Sequence, residues 1–217
     1  MIDARGAALI VVARNLNPSI FSQIWLVDEG LVDHGCAFDT PSVTAQEMSQ
    51  HSFQELQFLA LPDRFQITFT SVDDKTGTRA TTLASKIVEK LPHTPFRAIG
   101  INFEYVIRST SEFERSLIRW PAESVAAPFS SSTARLGVIA VGSVKEAKLT
   151  LEMRPGEEAG EKTALIKFNF HFDLPERPKN SRIEALASAL AQWTDLRRDS
   201  LAIAEEISLR SRQPSGA

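Results

Sequence analysis

Along residues 96–108 the apolar and polar positions alternate. Ile99, Ile101, Phe103, Tyr105 and Ile107 fall on one side, with Gly100, Asn102, Glu104, Val106 and Arg108 on the other. A period of two predicts a strand with one buried face. The same period recurs at Phe65, Ile67 and Phe69, at Ala147, Leu149, Leu151 and Met153, and at Ile166, Phe168, Phe170, Phe172 and Leu174. Residues 58–61 and 65–69 flank Pro62-Asp63-Arg64 and predict a hairpin. Residues 136–141 predict a further strand, Gly142-Ser143 a turn, and residues 155–162 a polar hairpin loop. The apolar run over residues 7–13 is too short to cross a membrane and lacks the flanks of a secretory signal, so it predicts a buried strand.

Elsewhere the period lengthens to three and four. Ala80, Leu83, Ala84, Ile87, Val88 and Leu91 form one stripe, with Asp73, Asp74 and Thr76 as start signals and Pro92 as the stop. Asn17-Pro18 opens a short helix whose buried face is Ile20, Phe21, Ile24 and Trp25. Ser109 and Glu112 have capping-box spacing ahead of Phe113, Leu117 and Trp120. Residues 181–210 predict a long helical stretch carrying Ile183, Leu186, Leu190 and Trp193, with a break near Thr194-Asp195 left open.

These elements predict an α+β fold. Residues 8–91 read as strand, short helix, strands, long helix, and residues 96–210 read the same way. The expectation is two pseudo-repeated halves that together form a curved, mostly antiparallel sheet with the long helices on one face. The chain is expected to be a single unit over 1–217, with 211–217 as a disordered tail.

Three segments carry a resemblance: Leu61-Pro62-Asp63-Arg64-Phe65-Gln66-Ile67, Phe96-Arg97-Ala98-Ile99-Gly100-Ile101-Asn102-Phe103, and Phe168-Asn169-Phe170-His171-Phe172-Asp173 ahead of a long helix. In that order and spacing, residues 55–210 resemble a sporadically distributed family of uncharacterised bacterial and phage-associated proteins. The resemblance implies a bacterial or phage origin. It brings no activity and no site residues.

Composition narrows the chemistry. The 217 residues are 43% hydrophobic with a net charge of -3, enough for a sizeable core but without the basic field of a general nucleic-acid binder. Arg197, Arg198, Arg210 and Arg212 read as a solvated helix face. Cys36 is the only cysteine, so no intrachain disulfide forms, which fits a reducing, cytoplasmic compartment.

Asp33-His34-Gly35-Cys36 could offer two zinc ligands, but no second pair follows at a suitable spacing, so no metal or cofactor is expected. Cys36 with His51 or His93 would be a nucleophilic pair, yet no glycine loop adjoins it. Phosphate-binding and hydrolase motifs are absent.

The remaining candidate is a binding face of Asn102, Glu104, Arg108, Lys167, Asn169 and His171, which the alternation sets opposite the phenylalanines. Such a face is ordinarily solvated; it can also meet a ligand or partner. The expectation is a non-enzymatic interaction or assembly module that binds another protein chain or itself, with no nucleic acid and no membrane. The alternative is a small-molecule-binding, effector-type domain with a cleft between the halves.

Overall fold

The computed structural model describes residues 2–108, 137–158, 160–176 and 179–210. The nine strands are β1 (Ile2–Ala13), β2 (Val43–Thr44), β3 (Ser49–Phe53), β4 (Leu56–Leu61), β5 (Arg64–Phe69), β6 (Phe96–Arg108), β7 (Val138–Val144), β8 (Ala147–Glu158) and β9 (Glu161–Asp173). The helices are α1 (Gln23–Asp28), α2 (Asp74–Lys90), α3 (Lys179–Ala191) and α4 (Trp193–Arg210). The helix expected around Phe113 and Trp120 and the tail 211–217 lie outside the described residues.

Two pseudo-repeated halves with long helices on one face are not what the chain forms. The strands make one antiparallel sheet in the order β2-β3-β4-β5-β1-β6-β9-β8-β7, and the longest helical stretch comes only at the end of the chain. The reason lies in the middle of the sheet. β1 pairs with β6 from Ile2↔Ile107 to Ala13↔Phe96, so neither half closes a sheet of its own. Local periodicity reports which side of a strand is buried, not which strand it pairs with.

Turn chemistry accounts for two further corrections. β7 runs straight through Gly142-Ser143, and the chain reverses at Lys145-Glu146, between Val144 and its partner Ala147. Lys145 takes the left-handed φ of +52° there, a conformation usually given to glycine or asparagine. The polar loop expected at 155–162 is instead strand, with β8 and β9 paired out to Glu158↔Glu161. Among the described residues the pairing of β7 with β8 ends at Met153, so Pro155 lies beyond it and its missing N–H costs no bond to β7.

One side of the sheet holds the core. Leu9, Val11, Phe65, Ile67, Ile99, Ile101, Phe103, Phe168 and Phe170 are buried in a single cluster with Leu83, Ala84 and Ile87 of α2. Trp193, at the head of α4, packs on Phe69 and Phe103 with ring centroids 5.3 and 4.7 Å away. The buried Tyr105 hydroxyl donates to Ser200 Oγ at 2.8 Å, and Ser200 donates in turn to the Arg197 carbonyl. Asp73 caps α2 by accepting from the Thr76 amide at 2.7 Å. Arg197 of α4 meets Asp74 of α2 at 3.0 Å.

Gly77 of α2 lets the helix approach Trp193. A Cβ at that position would stand 2.0 Å from the indole Nε1 and 2.4 Å from Cε2, so the ring would have to move. Because Trp193 is already packed on two phenylalanines, Gly77→Ala is expected to destabilise the protein by roughly 1–3 kcal/mol through overpacking. Chemical denaturation checks this; a change within about 0.5 kcal/mol, the range of an ordinary surface substitution, would show that the indole is free to move.

Candidate functional site

The side of the sheet opposite the phenylalanines is built in rows set by the strand register. One row runs Ala8–Asn102–Asn169–Thr150–Val141 across β1, β6, β9, β8 and β7. The next runs Gly6–Glu104–Lys167–Glu152–Ile139. On the other side of the first lies Ile10–Gly100–His171–Lys148–Ser143. Over these rows lies a groove of about 510 Å³, lined by Gly6, Ala8, Ile10, Thr68, Thr70, Asn102, Glu104, Thr150, Glu152, Lys167, Asn169 and Arg5.

Four of the six residues expected to form a binding face, Asn102, Glu104, Lys167 and Asn169, line this groove. Asn102 is opposite Asn169, Glu104 is opposite Lys167, and His171 is opposite Gly100. His171 is not among the groove's lining residues, and neither is Arg108. Arg108 lies four residues along β6 from Glu104, about 13 Å at the rise of a strand, and it pairs with Glu161 at 2.8 Å. Thr68, Thr70, Thr150 and Glu152 were on the polar sides of their strands in the sequence, but without register nothing joined them to the site.

Arg5 owes its place to a break in pairing. The ladder between β1 and β6 slips between Ala4 and Gly6, leaving Arg5 as the extra residue of a bulge, which re-aims a side chain. Its guanidinium pairs with Glu158.

Charge in the groove is largely self-compensated. Glu104 and Lys167 are 2.9 Å apart, and Glu152 meets Arg154 at 3.7 Å. Two residues along β9 from His171, Asp173 receives Lys148 at 2.5 Å and His171 Nε2 at 3.1 Å. The Lys148 hydrogen bond, followed by that of His171, holds the Asp173 carboxyl below the usual carboxylate range. These groups are exposed, so they orient one another more than they stabilise the fold.

No family model matches this sequence, and no curated protein does.

Cys36 and His51 have separate hydrogen-bond partners. Cys36 Sγ lies 3.5 Å from the Ala37 carbonyl, and burial, followed by the nearby Asp33, pushes its thiol up. His51 is 1% exposed and engaged elsewhere. Its Nε2 is 2.6 Å from the Phe21 carbonyl, which can only accept, so Nε2 carries the proton. Nδ1 then accepts from the Ser42 hydroxyl at 2.7 Å, and Ser49 Oγ donates to the Phe21 carbonyl at 2.7 Å. This hydroxyl–imidazole cluster was not legible in the sequence, because Phe21, Ser42 and His51 meet only through the β3–β4 end of the sheet. It ties the segment ahead of β3 to the turn before α1. His93 is exposed between α2 and β6. Among the described residues, no three of His, Cys, Asp and Glu come together as metal ligands. No described helix is long and apolar enough to cross a membrane.

His51 makes stability depend on pH. Burial lowers its pKa from the ordinary 6.5, against the smaller opposing effect of the Phe21 carbonyl. The unfolded chain therefore takes up this proton more readily than the folded one. Stability from this group is complete above about pH 6.5 and falls as pH drops below it, until the lowered folded pKa is reached. His51→Gln is expected to reduce stability at neutral pH and to flatten the slope between about pH 6.5 and 5. Denaturant titrations across that range test it, and an unchanged slope in the variant would contradict this assignment.

Proposed function

We propose that this protein is a non-enzymatic assembly module that pairs with a second copy of itself along β7. The observation that carries this reading is the state of that edge. Among the described residues β7 is the last strand of the sheet, seven residues long, and it contains no charged residue from Val138 to Val144. Ile139 and Val141 are 68% and 76% exposed. Natural edges are usually blunted by charge, proline, a bulge or shortness, and β7 has none of these. The other edge, β2, is blunted: it is two residues long.

The edge also specifies what suits it. An added strand must supply backbone partners, apolar side chains at alternate positions, and no charge opposite the seam. β7 itself has that composition. Antiparallel self-pairing about a twofold axis is isologous and closes after two copies. A register that sets Ile139 of one copy against Val141 of the other buries all four side chains in one strip. That strip borders the polar rows of Asn102, Asn169, Glu104 and Lys167, which then run continuously across both copies. In the bacterial or phage setting that the sequence resemblance implies, the module's role would be assembly.

Light scattering after size exclusion, over a series of concentrations, tests this. The protein is expected to shift from monomer to dimer as concentration rises. Val141→Lys, at an exposed position, is expected to stay monomeric while melting as the wild-type monomer does. A wild-type chain that remains monomeric throughout, or a dimer that survives Val141→Lys, would overturn the proposal.

A further inference from the structure

The groove itself points to a second kind of partner, and every residue of it belongs to one chain. We propose that it is a binding site for an uncharged small molecule bearing an amide edge, such as a primary carboxamide, lactam or imide. Its size, about 510 Å³, is that of a small-molecule site. Its charges favour a neutral guest. Glu104 and Lys167 already satisfy each other at 2.9 Å, and Arg5 is held by Glu158. A charged ligand would have to compete for a group that is already paired.

The hydrogen-bonding chemistry comes from two asparagines. Asn102 and Asn169 are directly opposite in the β6–β9 ladder and line the groove. Neither side-chain amide has a hydrogen-bond partner among the described residues. Their near atoms flank Gly100. Asn102 Nδ2 and Asn169 Oδ1 each lie 3.6 Å from where a Gly100 Cβ would stand, and Ile10 Cβ lies 3.9 Å from it. Gly100 is itself buried beneath them and is not among the groove's lining residues, so the donor and acceptor that line the groove are the two asparagine amides.

Nothing in the backbone demands glycine there. Gly30 and Gly160 take positive φ, and Gly100 does not. A Cβ would make only ordinary contacts. Glycine inside a strand is unfavourable and often marks a place where another group comes close. An amide edge carries an N–H beside a C=O, so it can give to Asn169 and receive from Asn102 at once.

Nicotinamide and nicotinate share a ring and differ in this edge, which makes them the probes. In a titration of the 15N-labelled full-length chain, nicotinamide is expected to shift the backbone amides of residues 100–104 and 167–171. Nicotinate is expected to bind at least about tenfold more weakly, because a site built for a donor–acceptor pair rejects an analogue that lacks the donor. Uracil, which carries an imide edge, is expected to shift the same amides. Gly100→Ala places a methyl 3.6 Å from Asn102 Nδ2 and Asn169 Oδ1, in ordinary contact with both amides. It should keep the wild-type melting temperature yet weaken nicotinamide binding by about tenfold or more, and Asn102→Asp, which removes the donor, should weaken it likewise. Equal binding of nicotinate, shifts confined to other parts of the chain, no shift with either amide probe, or a folded Gly100→Ala that binds as well as wild type would each overturn the proposal. Self-pairing through β7 can fail without affecting any of these outcomes.

Discussion

The pairing of β1 with β6 is the constraint on which the rest of the structure depends. These two strands hydrogen-bond from Ile2↔Ile107 to Ala13↔Phe96. β5 is then bound to the free side of β1, and β9 to the free side of β6. The side-chain period of two does the rest. Leu9, Val11, Ile99, Ile101 and Phe103 are forced to one side, and Ala8, Ile10, Asn102 and Glu104 to the other. A slip of one residue in this central ladder would exchange core and surface across the sheet.

The two sides then meet different demands. The phenylalanine side must be covered, and Trp193 is the centre of the cover: it packs on Phe69 and Phe103 and reaches α2 where Gly77 has no side chain. Tyr105 and Ser200 satisfy each other inside that layer, so a buried hydroxyl enters the core without an orphaned donor. The other side carries no such burden. It can hold amides, hydroxyls and a compensated ion pair, and it ends at the uncharged edge β7. One side of the sheet thus carries the packing, while the proposed neutral amide would use the open side and the proposed second chain the edge beside it.

Much of this was readable from periodicity. The stripe from Ala80 to Val88 marks α2, and the alternation around Phe103 and Phe170 marks both their strands and their buried sides. Four of the six candidate face residues line the groove; facing follows directly from that alternation, whereas the extent of the groove does not. What was not legible depends on distant pairing or on unusual turns. Gln54 and Glu55 both adopt positive φ to join β3 to β4, and Lys145 does so between β7 and β8. None of the three has the glycine or asparagine signature such turns usually show. The joining of β1 to β6, the meeting of His51 with Ser42 and Phe21, and the arrival of Thr150 and Glu152 beside Lys167 are consequences of register, which no single segment encodes. The apparent repeat failed for the same reason: similar local patterns were read as separate units when long-range pairing merges them.

Native-state hydrogen exchange tests that merger most directly. The slowest amides of β5, β1, β6 and β9 are expected to exchange through one cooperative opening, with a common free energy equal to that of global unfolding. Two groups of core amides with clearly different opening free energies, one in β1, β4 and β5 and the other in β6, β8 and β9, would show two units in contact and contradict it.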